Sequence, residues 1–196
     1  SGKRKLIRNI YLNLIGKYNI LNSTAAICVC INLGIKTNII KKALNKFSGV
    51  QRRMTKIFEK NNNEFYDDYA HHPTEIFSVL EGVKKISTRR KITTVFQPHR
   101  FSRVRLLYQE FAKAFKNSNR VILCPVYAAG EKKEKNFSLA KFGKLISERS
   151  KVQVVIIDGE DDLRKYFRKN LIKNEIVIGM GAGSISTWIR NLIKFL

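Results

Sequence analysis

The stretch Ile92-Thr93-Thr94-Val95-Phe96-Gln97-Pro98-His99-Arg100-Phe101-Ser102-Arg103 decides the fold, because in it a short apolar run passes directly into the start of a helix. Isoleucine, threonine, valine and phenylalanine favour strands, and proline is tolerated in the first turn of a helix. We therefore predict a strand over Ile92–Phe96 and a helix over Pro98–Lys116. A strand followed by a helix is the repeating element of α/β proteins.

The same alternation continues on both sides of this stretch. The other predicted strands are Glu64–Tyr69, Val121–Val126, Val152–Ile157 and Ile176–Ile178. The other predicted helices are Pro73–Ile86, Leu139–Glu148, Asp161–Asn170 and Ser184–Phe195. This pattern predicts an α/β fold with a mostly parallel sheet and helices on both faces, because parallel crossovers place helices there. Ligands of such sheets bind beyond the carboxyl ends of the strands.

The beginning of the chain has a different pattern. Apolar residues at helical spacing predict two helices, over residues 20–34 and 38–47. The polar run Lys60-Asn61-Asn62-Asn63 is typical of a connection between structural units. We therefore place a domain boundary near residue 60, with domains over residues 1–60 and 61–196.

Positive charge is the unusual feature of the composition. The 196 residues include 38 Lys and Arg against 15 Asp and Glu, a net charge of +23, which favours a nucleic-acid partner. However, residues 38–42 and 170–174 are crowded with Lys, Asn and Ile, a pattern that drift towards AT-rich codons also produces. No helix-turn-helix, zinc finger or basic stripe with interleaved aromatic residues accompanies the charge. We do not expect a nucleic-acid partner, and a basic nucleic-acid-binding module remains the alternative function.

The cysteines indicate a reducing compartment. Cys28, Cys30 and Cys124 form no CxxC pair and have no histidines at metal-ligand spacing, so we predict buried thiols, no metal site and a cytoplasmic location. The apolar stretch Ile20–Ile35 is shorter than the roughly 20 residues that span a bilayer, and we interpret it as a buried helix. No membrane partner is expected. The sequence opens with Ser1 and without a recognisable signal peptide, which we interpret as the start of a fragment.

Ionisable side chains gather where the predicted strand Glu64–Tyr69 ends. The segment Asp67-Asp68-Tyr69-Ala70-His71-His72-Pro73-Thr74-Glu75 places two carboxylates, a tyrosine and two histidines before a helix that begins near Pro73. Each residue alone is equally compatible with a capped, solvated turn. Their density at the ligand-binding edge of a parallel sheet favours a functional site. His72 is interpreted as a helix-start residue and not as a catalyst.

Two arginines stand at the start of the next predicted helix. The spacing of Arg100 and Arg103 predicts that they share one helix face. Backbone amides at a helix N-terminus attract a carboxylate or phosphate, and guanidinium groups add bidentate donors. We therefore predict an anion site there. A basic, solvated helix end is the alternative reading, and Arg105 is assigned to that surface.

A glycine-rich loop, Gly179-Met180-Gly181-Ala182-Gly183-Ser184, follows the last predicted strand. A dinucleotide fingerprint would open a βαβ unit with an acidic residue about 20 positions further on, whereas this loop precedes the last helix. We interpret it as a tight turn that permits close approach of the backbone. The sequence contains no P-loop, no GxSxG elbow and no Cys–His nucleophile pattern, and Lys132–Lys135 is read as a solvated loop.

Taken together, these segments resemble the Mur ligase family. The signatures are the segments 67–75 and 96–103, and the supporting segments, in the same order as in the family, are 16–22, 47–53, 126–131 and 179–184. The segment His-Arg-Phe-Ser-Arg at 99–103 is most similar to the ligases that add L-alanine. The resemblance implies that residues 1–60 are the end of a central ATP-binding domain and residues 61–196 a Rossmann-like C-terminal domain. The UDP-sugar domain and the P-loop part of the central domain would then be missing partners.

The resemblance also implies a reaction. ATP would phosphorylate the carboxylate of UDP-N-acetylmuramate, and the amine of L-alanine would attack the acyl phosphate to give an amide, ADP and phosphate in peptidoglycan precursor synthesis. Mg²⁺ and a P-loop lysine would neutralise the phosphates, and these are held by segments that this sequence lacks. The isolated chain is therefore expected to be inactive. A degenerate ligase remnant remains a further alternative.

Nucleotide contacts are assigned by the same resemblance. Asn19 and Asn22 would contact adenine, Arg53 the terminal phosphate, and Asp68 the nucleotide from across the domain cleft. Two residues depart from the family's usual Pro and His in the adenine region: Ile15 and Tyr18. These departures put the adenine pocket in question.

The substrate site is implied in the same way. The residues that would line the site for alanine and the reacting carboxylate are Tyr69, His71, His99, Arg100 and Arg103. Catalytic roles would fall to Arg53, which can stabilise phosphoryl charge, and to His71 or His99 as proton acceptor. The sequence does not choose between the two histidines.

Overall fold

A computed structural model describes residues 6–14, 16–87 and 89–196 of the chain. The chain divides into two compact units between Val50 and Gln51. This division precedes the predicted boundary near residue 60, because residues 55–60 form a strand of the second unit's sheet. The unit bounds therefore differ from the predicted domains 1–60 and 61–196.

The described residues of the N-terminal unit form two helices, α1 (Lys17–Asn32) and α2 (Thr37–Lys46). The prediction of a buried helix is wrong, since Ile20 and Leu21 on α1 are each 60% exposed. Within the described part of this unit, α1 packs mainly against α2. No helix within the described ranges is long and apolar enough to cross a membrane.

The C-terminal unit is built on one six-stranded sheet. Its strands are β1 (Thr55–Lys60), β2 (Asn63–Asp68), β3 (Lys91–Phe96), β4 (Arg120–Leu123), β5 (Gln153–Ile156) and β6 (Glu175–Met180), in the order β1-β2-β6-β3-β4-β5. Strand β1 is antiparallel to β2, and the other pairs are parallel. The prediction of a mostly parallel α/β sheet is confirmed.

Among the described residues of this unit, six helices and a final 3₁₀ turn accompany the sheet. They are α3 (Pro73–Ile86), α4 (Phe101–Leu106), α5 (Tyr108–Lys113), α6 (Leu139–Ser150), α7 (Glu160–Asn170), α8 (Ile185–Asn191) and the turn Leu192–Lys194. The single helix predicted over Pro98–Lys116 is instead the pair α4 and α5, interrupted at Leu107.

Helices cover both faces of the sheet. On one face, Phe65 and Val95 belong to a core that includes Phe167 of α7 and Ile189 of α8. On the other face, Phe96 lies against Phe111 and Phe115, with ring centroids 5.6 and 5.1 Å apart. The consecutive residues Val95 and Phe96 of β3 thus enter opposite cores, because successive side chains of a strand point to opposite faces. The prediction of two covered faces is confirmed.

The polar run read as a connection between units is a hairpin turn. Asn61 and Asn62 have φ values of 53° and 62° and join β1 to β2, with Lys60 opposite Asn63. Two consecutive left-handed residues form the type I′ turn that suits the twist of a hairpin, and asparagine tolerates that conformation. Strand β1 was not predicted, because it is an edge strand in which lysines and a glutamate interrupt the apolar residues.

The cysteines differ in burial. Cys124 is buried, as predicted, whereas Cys28 is exposed and Cys30 is partly exposed. The prediction of buried thiols is therefore wrong for Cys28 and Cys30, which lie on the sparsely covered helix α1. All three are free thiols.

Candidate functional site

The carboxyl ends of three neighbouring strands form the site. The register places Asp68 of β2 beside Met180 of β6, and Met180 beside Phe96 of β3. The segments that follow these strands therefore leave the sheet side by side. One further segment joins them, because His99 forms a parallel bridge with Tyr127, which follows β4.

Asp68 is a buried carboxylate that holds two backbone segments together. Its Oδ2 accepts a hydrogen bond from the Met54 N–H at 2.8 Å, and its Oδ1 accepts one from the Ala70 N–H at 2.7 Å. Burial raises the pKa of Asp68 to about 6, and these two N–H groups and the charge of Arg53 oppose that rise. Arg53 itself is exposed. The structure thus gives Asp68 a positioning role, and its nucleotide contact stays a prediction.

Asp67 and Arg52 form an ion pair that was not predicted from the sequence. Asp67 is buried, and its Oδ2 accepts hydrogen bonds from Ser186 at 2.5 Å and from Arg190 at 3.1 Å. Arg52 Nε lies 3.8 Å from the other carboxylate oxygen of Asp67. Asp67 is one of the two carboxylates of segment 67–75 and Arg52 lies in segment 47–53, but no sequence signal indicates that the two side chains pair.

Arg52 also fixes the position of Tyr69. Its guanidinium lies 4.6 Å from the centre of the Tyr69 ring and donates a hydrogen bond to the Gly181 carbonyl at 2.6 Å. The Arg52 carbonyl accepts the Tyr69 N–H at 2.7 Å. One arginine therefore connects the segment before β1 with the ends of β2 and β6. Tyr69 remains 37% exposed at the site.

His71 follows β2 and is oriented by groups that only accept hydrogen bonds. Its Nδ1 lies 2.9 Å from the Tyr69 carbonyl oxygen and 3.5 Å from Glu75 Oε2. Glu75 also accepts the N–H groups of His71 and His72, at 3.1 and 3.2 Å. His72 is the N-cap of α3 in a capping box with Glu75, which confirms its reading as a helix-start residue.

His99 follows β3 and is held between a ring and a cation. Its ring stacks on Tyr127 with centroids 5.5 Å apart and planes 17° apart, and its Nδ1 lies 3.2 Å from Arg103 Nη1. Burial, followed by the nearby charges of Arg103, His71 and Arg100, lowers the pKa of His99. The His99 ring centre is 6.0 Å from that of His71. The structure therefore brings the two predicted histidines together.

Arg100 and Arg103 do not share a helix face in the way predicted. Arg100 precedes α4 as its N-cap and has a φ of 70°, so helical spacing does not govern its direction. Arg103 lies within α4 and donates to both the Nδ1 and the carbonyl oxygen of His99. Arg105 is exposed and pairs with Glu134 at 3.4 Å, which confirms its assignment to the surface.

A carboxylate of the chain itself occupies the start of α4. Glu131 accepts hydrogen bonds from the Ser102 N–H at 3.0 Å and from the Ser102 hydroxyl at 2.5 Å. These bonds, together with the charge of Arg100, lower the pKa of Glu131. The prediction that free helix amides bind an external anion here is therefore wrong for the Ser102 amide. The guanidinium groups remain the candidate anion donors.

The glycine-rich loop after β6 is a tight turn, as predicted. A Cβ on Gly183 would lie 2.5 Å from both Gln97 Oε1 and Tyr127 Cγ, so only glycine fits at this position. Gln97 fixes the loop because its Oε1 accepts the Ile185 N–H at 3.1 Å and its Nε2 donates to Ser184 at 3.0 Å. The loop thereby packs against the segment that carries His99.

The predicted adenine residues belong to the other unit. Tyr18, Asn19 and Asn22 lie on α1, and Ile15 lies outside the described residues. Among the residues that the structure describes, no group of three or more His, Cys, Asp or Glu side chains is arranged to hold a metal ion.

The chain is similar in sequence to known proteins. The sequence pattern described as Mur ligase, glutamate ligase domain, matches residues 52–183. The UDP-N-acetylmuramate–L-alanine ligase of Pelagibacter ubique is 49% identical over 196 residues, which are 100% of this chain and 42% of that protein. The protein of the same name from Fusobacterium nucleatum is 40% identical over 98% of this chain and 42% of its own length.

A solved structure is also similar. The crystal structure of the UDP-N-acetylmuramate-alanine ligase MurC of Thermotoga maritima aligns with a TM-score of 0.77 at 29% identity, over 98% of this chain and 40% of that chain. The chain thus spans about two fifths of the length of the relatives it matches.

Proposed function

Because the chain belongs to the Mur ligase family, we propose that it forms part of an ATP-dependent ligase that joins L-alanine to UDP-N-acetylmuramate in peptidoglycan precursor synthesis. The observation that carries the proposal is 49% identity along all 196 residues to a relative with that name. We propose a cytoplasmic location as part of the same function. Residues 1–50 would be the end of the central ATP-binding domain, and residues 51–196 the C-terminal domain.

The C-terminal unit would hold the incoming amino acid. Arg103 is partly buried beside His99, and Arg100 carries a second positive charge close enough to lower the pKa of His99. Guanidinium groups bind a carboxylate with charge-assisted hydrogen bonds. The alanine carboxylate would bind to this pair. Tyr69 and His71 would line the same site, since the His71 ring centre lies 6.0 Å from that of His99. Fixing the carboxylate would direct the amine towards the acyl phosphate.

The chemical step would be acyl transfer. The amine nitrogen would form a bond to the acyl carbon, the bond from that carbon to the phosphate oxygen would break, and phosphate would leave with the electron pair. The extra proton on nitrogen would pass to a histidine. Arg53, which is exposed and close enough to influence Asp68, would stabilise charge on the transferred phosphoryl group.

The nucleotide would be bound mainly outside this chain. Asn19 and Asn22 would contact adenine, and Asp68 would act at the edge of the nucleotide site. Mg²⁺ would neutralise the phosphates in the complete enzyme, but the described residues offer no metal-ligand cluster.

A chimeric ligase tests the proposal. In it, this chain replaces the matching C-terminal 42% of the Pelagibacter ubique ligase, and ADP release is measured with UDP-N-acetylmuramate and single amino acids. We expect ADP release that depends on L-alanine and exceeds that with glycine or D-glutamate. A folded chimera that binds ATP but forms no amide with L-alanine would contradict the proposal.

The isolated chain is the negative control. It contains no P-loop, the segment that cradles the β and γ phosphates of ATP. We therefore expect no ATP hydrolysis by residues 1–196 alone. Magnesium-dependent turnover by the purified chain would contradict the assignment of the nucleotide site to missing segments.

A further inference from the structure

One histidine of the site faces a hydrogen-bond acceptor, and the other faces a hydrogen-bond donor. His71 and His99 project from neighbouring segments, with their ring centres 6.0 Å apart. A neutral imidazole carries its proton on one nitrogen and a lone pair on the other. The partner of one nitrogen therefore decides what the other nitrogen offers to a substrate.

At His71, the partners are acceptors. Nδ1 lies 2.9 Å from the Tyr69 carbonyl oxygen, and the Glu75 carboxylate is 3.5 Å away. A carbonyl oxygen cannot donate a hydrogen bond, so Nδ1 must carry the proton. The Nε2 of neutral His71 then has a free lone pair.

At His99, the partner is a donor. Nδ1 lies 3.2 Å from Arg103 Nη1, and a guanidinium has no acceptor atom. Nδ1 must therefore carry the lone pair, and Nε2 the proton. Arg103 is itself fixed, since the same Nη1 donates to the His99 carbonyl at 3.3 Å, and Tyr127 stacks against the ring.

We propose that the fold holds the two histidines in opposite tautomers, so that His71 is the proton acceptor of the reaction and His99 is a hydrogen-bond donor to an anionic substrate oxygen. Glu75 is the positioning residue of this arrangement. The tautomers follow from the geometry alone, whereas the catalytic roles rest on the proposed ligase function. This assignment resolves the choice between two histidines that the sequence left open.

The roles follow from the positions of the protons. As the amine attacks the acyl carbon and phosphate departs with the electron pair, the amine proton moves to His71 Nε2. The resulting imidazolium donates from Nδ1 and lies 3.5 Å from the Glu75 carboxylate. His99 cannot take this proton on Nε2, which already bears one, and Arg103 covers its Nδ1.

The surroundings of each ring support the same division. The groups that face His71 are Tyr69, Glu75 and His99. The groups that face His99 are His71, Arg100, Arg103, Tyr127 and Glu131. Positive charge thus dominates around His99, and burial together with that charge lowers its pKa. The lowered pKa favours neutral His99, the form whose Nδ1 lone pair can accept from Arg103.

Nuclear magnetic resonance of the 196-residue chain tests the tautomers without any enzymatic activity. Long-range ¹⁵N–¹H correlations of the imidazole rings distinguish a protonated Nδ1 from a protonated Nε2. The chain has three histidines, and the variants His71→Gln and His99→Gln assign two of them. We expect a proton on Nδ1 in His71 and on Nε2 in His99.

The third histidine is an internal reference. His72 accepts the Thr74 N–H on Nδ1 at 3.4 Å, so its neutral form carries the proton on Nε2. His71 alone is then expected to show the Nδ1–H form. A proton on Nε2 of His71, or on Nδ1 of His99, would overturn the proposal, whatever the ligase assay shows.

Matched substitutions in the chimera test the roles. Glutamine can donate from a position close to that of imidazole Nε2, but it cannot take up a proton. His71→Gln should therefore lower kcat by about 10²- to 10⁴-fold, the usual contribution of general base catalysis. His99→Gln should act mainly on the KM for alanine. Equal loss of kcat in both variants would overturn the division of roles, while an inactive parent chimera would contradict the proposed function instead.

Glu75→Gln tests the positioning residue. Glutamine keeps an oxygen for the capping box at the start of α3 but removes the negative charge beside His71. In the chimera, kcat should fall while the KM for alanine stays nearly unchanged, because the imidazolium that forms on His71 during the reaction loses its carboxylate partner. The melting temperature should change little. An unchanged kcat in a folded Glu75→Gln variant would remove Glu75 from the mechanism.

Discussion

Arg103 has direct hydrogen bonds to a residue of the candidate site, namely His99. It donates two hydrogen bonds to His99, whereas Arg100 lies outside helix α4 with a left-handed backbone. The side chain of Arg103 is therefore placed by its surroundings before any ligand arrives. A preorganised guanidinium gives up less conformational entropy on binding.

Removal of these arginines should weaken alanine binding. In the chimera, Arg100→Ala and Arg103→Ala should each raise the KM for alanine, since the lost charge-assisted hydrogen bond is worth about 1.5–3 kcal/mol. That corresponds to roughly a ten- to hundredfold change. Lysine at either position should restore only part of the affinity, because it lacks the planar fork. Initial rates at saturating ATP measure the effect.

Arg105→Ala is the matched control for both variants. Arg105 is on the same helix as Arg103 but is exposed and pairs with Glu134. Its loss should leave the KM for alanine unchanged. If all three variants behave alike, the basic-surface interpretation replaces the substrate site.

Asp68 should make stability depend on pH in an unusual direction. Burial raises its pKa from 3.8 to about 6, so the folded chain favours the protonated carboxyl group. The stabilisation is complete below the unfolded pKa and is lost as pH rises through the folded pKa. Relative to Asp68→Asn, the free energy of unfolding of the wild type should fall by about 2 kcal/mol between pH 4 and pH 7, since the unfolded carboxyl group is already partly ionised at pH 4. Urea denaturation at both pH values measures this difference, and a constant difference would contradict the buried-carboxyl account.

At the scale of elements, the β1–β2 hairpin is the largest difference between the predicted and the observed fold, because residues 55–60 were predicted to belong to the first domain. Phe58 of β1 stacks on Phe65 of β2, with ring centroids 4.2 Å apart and planes 13° apart. The turn that permits this contact needs left-handed backbone at Asn61 and Asn62. A short polar sequence therefore determines whether an edge strand joins the core.

Substitution of Asn62 tests the turn. Asn62 has a φ of 62°, and the left-handed conformation costs a residue with a Cβ roughly 1–2 kcal/mol. Asn62→Gly should keep or slightly raise stability, whereas Asn62→Val should lower it by about that amount. Urea denaturation followed by fluorescence of Trp188, the single tryptophan, measures both variants. Equal stability of the glycine and valine variants would rule out the proposed turn.

At the scale of the whole molecule, the position of the unit boundary has a direct test. A chain of residues 51–196 retains β1, whereas a chain of residues 61–196 loses Phe58 and the Met54 N–H that binds Asp68. Loss of a buried phenylalanine side chain alone costs about 3–5 kcal/mol. The shorter chain should therefore melt at a clearly lower temperature and expose the edge of β2 to aggregation. Identical melting curves by Trp188 fluorescence would support the boundary near residue 60.

The sequence by itself determined the features that depend on local pattern. Apolar runs located β3 and β6, Pro73 marked the start of α3, and the signature segments indicated which strand ends carry the candidate site. Such patterns depend on residues a few positions apart, whose spacing is set by the period of a strand or a helix.

Only the tertiary structure decided features that depend on residues far apart in the chain. Glu131 covers the Ser102 amide, and Arg190 binds Asp67 across the sheet edge. The protonation of the two histidines is likewise set by neighbours whose position no local pattern specifies, since a carbonyl faces His71 and a guanidinium faces His99. Sequence spacing shows that an imidazole is present, but its chemistry depends on which nitrogen bears the proton, and the folded contacts determine that.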